Sequence, residues 1–233
     1  MTTSTTPLPP PTDLPTDPDV PPLYFSVPDG FFALPVAADP QERAARAELF
    51  VRQLYAEGSP ELWEPAAPYY EGLARFLASD GVSYAALGLF ALSPEDERPG
   101  PGGPEGRKVA QCAFTVAAVR TDHEDPEVAV QGVRAALARD PGHDARLLEL
   151  PCGPAVSCVT LREMLIQPES SASGAQERLA TGQIQVHVPF PTGPYTAVFT
   201  LHTAATEYWG EFSDMFAAVL RSVEFTRATE QAS

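Results

Sequence analysis

The spacing of hydrophobic positions changes several times along the chain, and each change marks an element. The runs LYFSV and FFALPV flank Pro28-Asp29-Gly30, so two short β-rich segments around a turn signal predict a hairpin from Leu23 to about Pro35. In Asp39-Pro40-Gln41-Glu42, Asp suits a helix N-cap, Pro the first helical position, and Glu the third residue past the cap. The helix is predicted to run to about Glu57, with Ala47, Phe50, Val51 and Leu54 at helical spacing and Gly58 as its stop. Ser59-Pro60-Glu61 opens a second helix, irregular at Pro65 and Pro68, whose Tyr69, Leu73, Phe76 and Leu77 are predicted to form the next apolar stripe.

From Val82 the pattern is that of strands. VSYAALGLFAL is apolar at both parities, as in a central strand covered on both faces, and KVAQCAFTVAAV reads as its partner across the polar Pro/Gly loop Ser93 to Arg107. Asp125-Pro126-Glu127 starts a helix to about Arg139, which Asp140-Pro141-Gly142 stops. ARLLEL and AVSCVTLREMLI are two more strands about Cys152-Gly153-Pro154, and GQIQVHVPF and YTAVFTLHT form a last hairpin through Pro191-Thr192-Gly193-Pro194. A helix from about Glu207 to Val223 closes the chain, with Trp209, Phe212, Phe216, Val219, Leu220 and Val223 on one core-facing stripe. The fold class is α+β: a largely antiparallel sheet with helices packed on it.

Residues 1–22 carry eight of the 26 prolines with Thr and Asp between them, too few large apolar groups to offset ordering entropy. They are expected to form a disordered tail ahead of a single domain over residues 23–227, with residues 228–233 fraying. Within the tail, Pro7 and Pro10 set a PxxP spacing that an aromatic groove of a partner would recognise.

The net charge of −16 disfavours nucleic acid and anionic membrane surfaces, where affinity rests on Lys and Arg. No positively charged, apolar leader precedes the first basic residue, Arg43, and the longest nearly apolar stretch, Val82 to Leu92, is short of the ~20 residues that span a bilayer. These features predict a soluble, cytoplasmic protein. Cys112, Cys152 and Cys158 are an odd set, expected as reduced thiols; Cys152, beside a turn, is the one to test for reactivity. Arginine outnumbers lysine fourteen to one, a bias typical of GC-rich genomes such as those of actinomycetes.

Motif chemistry is sparse. Asp122-His123-Glu124-Asp125 and His143-Asp144 have metal-ligand composition, but a helix of roughly 14 residues at ~1.5 Å per residue separates them by about 20 Å, and helix capping explains the acids. The loop GPGGPEGRK lacks the spacing of a phosphate loop, and no G-x-S-x-G, GxGxxG, HExxH or EF-hand pattern occurs. No catalytic residue, cofactor or metal is therefore assigned. One surface stands out. In the last hairpin Ile184, Val186 and Val188 alternate with Gln183, Gln185 and His187, and Thr196, Thr200 and His202 alternate with Phe199 and Leu201. With the closing helix on the apolar face, Gln185, His187, Thr200 and His202 become candidate partner-facing residues, the two histidines adding pH dependence near ~6.5.

The ending, HVPFP, then YTAVFTLHTAA, then FSDMFAAVLRSVEF, resembles the PsbP-like α/β/α sandwich over residues 181–225, and uncharacterised actinobacterial proteins with that ending. The resemblance implies binding and assembly roles. The expected function is a non-catalytic protein-interaction or accessory module with a protein partner. One alternative is a small enzyme using a Cys or His in a pocket that the sequence does not reveal. Another is a chaperone or component linked to a secretion apparatus; none of the seven tyrosines has an acid four residues later, so a YxxxD/E export signal is absent.

Overall fold

The computed structural model describes residues 20–37, 39–56, 58–91, 109–168, 171 and 174–225. The Pro-rich segment with Pro7 and Pro10, the loop after Leu92 and residues 228–233 lie outside these.

One seven-stranded antiparallel sheet organises the chain. Its strands are β1 (Phe31–Ala33), β2 (Val82–Ala91), β3 (Val109–Arg120), β4 (Asp144–Leu150), β5 (Gly153–Ile166), β6 (Glu177–Pro189) and β7 (Tyr195–Thr203), in the order β1-β2-β3-β7-β6-β5-β4. The helices are α1 (Pro40–Leu54), the short α2 (Pro60–Trp63), α3 (Ala67–Ser79), α4 (Pro126–Leu137) and α5 (Trp209–Arg221). The Asp39 carboxylate accepts from the Glu42 N–H at 2.8 Å and the Asp125 carboxylate from the Glu127 N–H at 2.9 Å, so both sequence-read caps close their helices.

Period-two alternation assigns side chains to two faces. On the first, Tyr84 and Ala86 of β2, Cys112, Phe114 and Val116 of β3, Phe199 and Leu201 of β7, and Val186 and Val188 of β6 form the main core. The stripe of α5 covers it: Phe216 stands edge-on to Phe114 at 6.0 Å and Phe212 to Phe90 at 5.9 Å. Trp209 lies over Gly182, where an added Cβ would come within 2.2 Å of Cζ3; that glycine is what lets the indole reach the sheet.

Two sequence expectations are corrected. Residues 23–27 do not pair with β1; they belong to no strand apart from a Tyr24–Glu224 bridge, and Phe25 inserts edge-on among Tyr84, Phe114 and Phe199 at 5.3, 6.0 and 5.7 Å. β1 pairs with β2 instead, because core burial of an aromatic outweighs a local turn signal. On α3 the buried stripe is rotated from the expected one. Ala67 and Ala74 face inward and Tyr70 meets Phe50 edge-on at 4.7 Å, whereas Tyr69 and Phe76 are exposed at 69% and 61%. Small residues let α3 lie close to α1 and β2, so alanines rather than the larger rings mark the contact.

Candidate functional site

Among the described residues, the second face of the sheet is covered at its two ends and open between them. At one end Ala74 and Leu77 of α3 pack with Ala85 of β2 and Val36, and Phe50 and Val51 of α1 build a further cluster behind them. At the other end α4 lies across β4, β5 and β6, with Ala129 and Val130 buried. Beneath it Val156 and Cys158 of β5 are buried on the second face, outside the core that α5 seals.

The hydrogen-bond register places the floor between these helices in rows across β3, β7 and β6. One row is Ala113, His202 and Gln183; the next is Thr115, Thr200 and Gln185; the third is Ala117, Val198 and His187; the fourth is Val119, Thr196 and Pro189. Neighbours within a row are one strand spacing apart, about 4.8 Å, and successive rows are about 6.8 Å apart. Ala113 and His202 are exposed, and Thr115, Thr200, Gln183 and Gln185 are half-buried. All four sequence-selected hairpin residues, Gln185, His187, Thr200 and His202, thus share one face, opposite α5. Gln185, Thr200 and His202 sit within two adjacent rows, and His187 lies one row further on.

His187 differs from its neighbours. It is half-buried, its Nε2 has no hydrogen-bond partner, and burial holds its imidazole below the usual histidine value, so the ring is neutral near neutral pH. On the next row Thr196 is buried with its hydroxyl also unpartnered. Sequence alternation locates both side chains on this face, but it gives no sign that their polar atoms lack partners.

The floor offers amide, hydroxyl and imidazole groups and no carboxylate, ammonium or guanidinium, in a chain of net charge −16. Such groups can donate to and accept from a partner's backbone or amide side chains with no charge to neutralise. They supply no nucleophile–base–orienter arrangement. Elsewhere burial raises all three thiols, Cys112 to about 12 and Cys152 and Cys158 above their ordinary value, which disfavours the reactive thiolate. Among the described residues no group of three His, Cys, Asp or Glu side chains is placed to hold a metal ion. At the former metal candidate Asp125 caps α4, and His143 sits at the other end of that helix, 3.5 Å from Asp140. Among the described residues no helix is long and apolar enough to cross a membrane.

What the sequence missed is the crossing of α4. The caps announce the helix, yet nothing local says which face it covers, and the covering is what turns an open sheet face into a bounded trough. No family model, curated protein or solved structure matches the chain.

Proposed function

We propose that this chain is a non-catalytic protein-interaction or accessory module and that its partner lies in the trough on the second face, on Thr115, Thr200, Gln185, Gln183 and His202. The observation that carries this reading is the contrast between the faces. The first is closed by a complete aromatic stripe, while the second leaves a polar, uncharged floor between two helical walls. An unneeded floor of this kind would ordinarily be charged for solubility, as the rest of the chain is. A floor of glutamine, threonine and histidine instead suits an extended polypeptide, whose backbone alternates donors and acceptors at nearly the row spacing. The resemblance of residues 181–225 to the PsbP-like sandwich points the same way, toward assembly rather than chemistry, and the Pro-rich segment with Pro7 and Pro10 is a second docking element in this reading.

The raised thiols weigh against the enzyme alternative that used Cys152. Affinity purification from the native host tests the proposal. The full chain, a chain beginning at Val20 and a Gln185→Ala/His202→Ala chain are compared. Val20 is the starting point because it already packs against the main core. A protein retained by the full chain and lost with the trough variant supports the reading. Equal retention by all three chains, or turnover of a small molecule abolished by Cys152→Ser, overturns it.

A further inference from the structure

β5 and β6 outrun the rest of the sheet. β4 pairs with β5 only as far as Val159, and β7 pairs with β6 only from Gly182, so among the described residues 162–166 of β5 have strand partners on one side only, residues 177–181 of β6. A two-stranded ribbon cannot bury its own apolar side chains, and along the outer edge of β5 the backbone N–H and C=O groups meet no strand among the described residues. Leu161, Met164 and Leu165 are accordingly exposed at 70%, 52% and 51%. At the base of the ribbon an open cleft of about 350 Å³, lined by Leu161, Arg162, Glu163, Ala180, Thr181 and Thr206, is roomy enough to take a leucine side chain.

We propose that the outer edge of β5 is a self-association strand, to which a second copy of this chain adds its own residues 160–166 antiparallel, about a two-fold axis at Glu163. The charge at the ribbon permits it. Residues 161–166 and 177–181 contain Arg162, Glu163, Glu177 and Arg178 and sum to zero, in a chain whose −16 otherwise opposes self-association. The register follows from side-chain alternation. In a continuous sheet, residues on the same face must pair, and an isologous contact is its own mirror in sequence. An axis at Arg162 would stack two guanidiniums and set Leu161 against Glu163. An axis at Met164 would set Leu165 against Glu163. The axis at Glu163 pairs Leu161 with Leu165 of the second copy, twice, and brings that Leu165 to the mouth of the cleft beside Leu161. Its cost is two facing glutamates, and each is already bridged at 2.9 Å by Arg178 of its own ribbon.

Pairing stops where it should. Ile166 falls opposite Thr160 of the second copy, just short of the point where β4 takes over the edge, and Pro168 cannot extend the ladder. Seven residues in each copy, 160–166, give a contact of about 24 Å, smaller than interfaces that hold permanent dimers, so the association is weak, micromolar or above.

The test uses the full chain in two measurements. Sedimentation velocity up to about 500 µM is expected to show a concentration-dependent dimer, weakened at least tenfold by Leu165→Asp. In a Cys152→Ser background, Glu163→Cys is expected to form an intermolecular disulfide on mild oxidation, because directly opposed antiparallel residues fall within the Cα separations a disulfide spans. Tyr69→Cys, on α3 and at least as exposed as Glu163, is the control and is expected to cross-link at least tenfold more slowly. A monomer at every concentration, dimerisation unchanged by Leu165→Asp, or equal cross-linking through Tyr69→Cys overturns the proposal.

Discussion

Substituting Gly182 by alanine probes the contact that holds α5 over the sheet. The new methyl would lie 2.2 Å from Cζ3, 2.7 Å from Cε3 and 3.1 Å from Cη2 of Trp209, all on the rigid indole. Three contacts inside van der Waals distance cannot be relieved by rotating a flexible chain end, so either the indole or the start of α5 must shift. Overpacking of this kind costs about 1–3 kcal/mol. Replacing glycine in a strand returns about 0.5–1 kcal/mol through lower unfolded-state entropy. The expected net loss is therefore between about 0 and 2.5 kcal/mol, and each kcal/mol of it lowers Tm by roughly 2–4 °C for a domain of this size. Urea unfolding followed by far-UV circular dichroism measures it, and fluorescence reports a change at Trp209, one of two tryptophans in the chain. The decisive comparison is the double variant. With Trp209→Ala already made, Gly182→Ala is expected to become neutral or stabilising, leaving a coupling of at least about 1 kcal/mol. Loss of stability from Gly182→Ala that is the same in both backgrounds would refute the placement of Trp209 on Gly182, and with it the closure of the first face.

Further outcomes follow from the other buried polar groups and caps. Because burial lowers the folded-state value of His187 below its unfolded one, the unfolded chain binds the extra proton. Stability is then complete above about pH 6.5 and falls as pH drops toward the folded value, with a slope of at most about 1.4 kcal/mol per pH unit; His187→Gln is expected to flatten that slope in urea titrations at about pH 5 and pH 8, and an unchanged slope would contradict it. Thr196→Val replaces an unpartnered buried hydroxyl with a methyl of the same shape and is expected to stabilise by about 1 kcal/mol, whereas destabilisation in the same assay would show that the hydroxyl is satisfied. Asp125→Ala removes the cap of α4 and is expected to cost about 1 kcal/mol, with faster amide exchange in α4 than in α5; uniform exchange would argue against α4 as a separately anchored wall. Alkylation of Cys152 at about pH 7 is expected to be slower than that of an unstructured cysteine peptide, and faster reaction would revive the enzyme alternative.

The strands were legible because their signals are local. Alternation in GQIQVHVP and YTAVFTLHT separates Val186 and Phe199 from Gln185 and Thr200 without knowledge of any partner strand, and the structure keeps that separation. The caps at Asp39 and Asp125 were equally local. The misread elements depend on distant contacts. Phe25 belongs to the core because Tyr84, Phe114 and Phe199 converge on it from three strands, and Tyr69 is exposed because Ala67 and Ala74 permit a closer approach than a ring would. The candidate site was legible by half for the same reason. Its floor follows from parity, but its walls depend on where α3 and α4 dock, and the unpartnered atoms of His187 and Thr196 depend on packing.

The central claim is that a protein partner occupies the trough between α3 and α4. A photo-cross-linking residue introduced at Thr200 in the native host, with Glu48 on the exposed side of α1 as the control position, tests it most directly. The account predicts a discrete cross-linked species joining this chain to a different protein at Thr200 and none at Glu48. Adducts no more abundant at Thr200 than at Glu48, or only adducts to solvent, would contradict it.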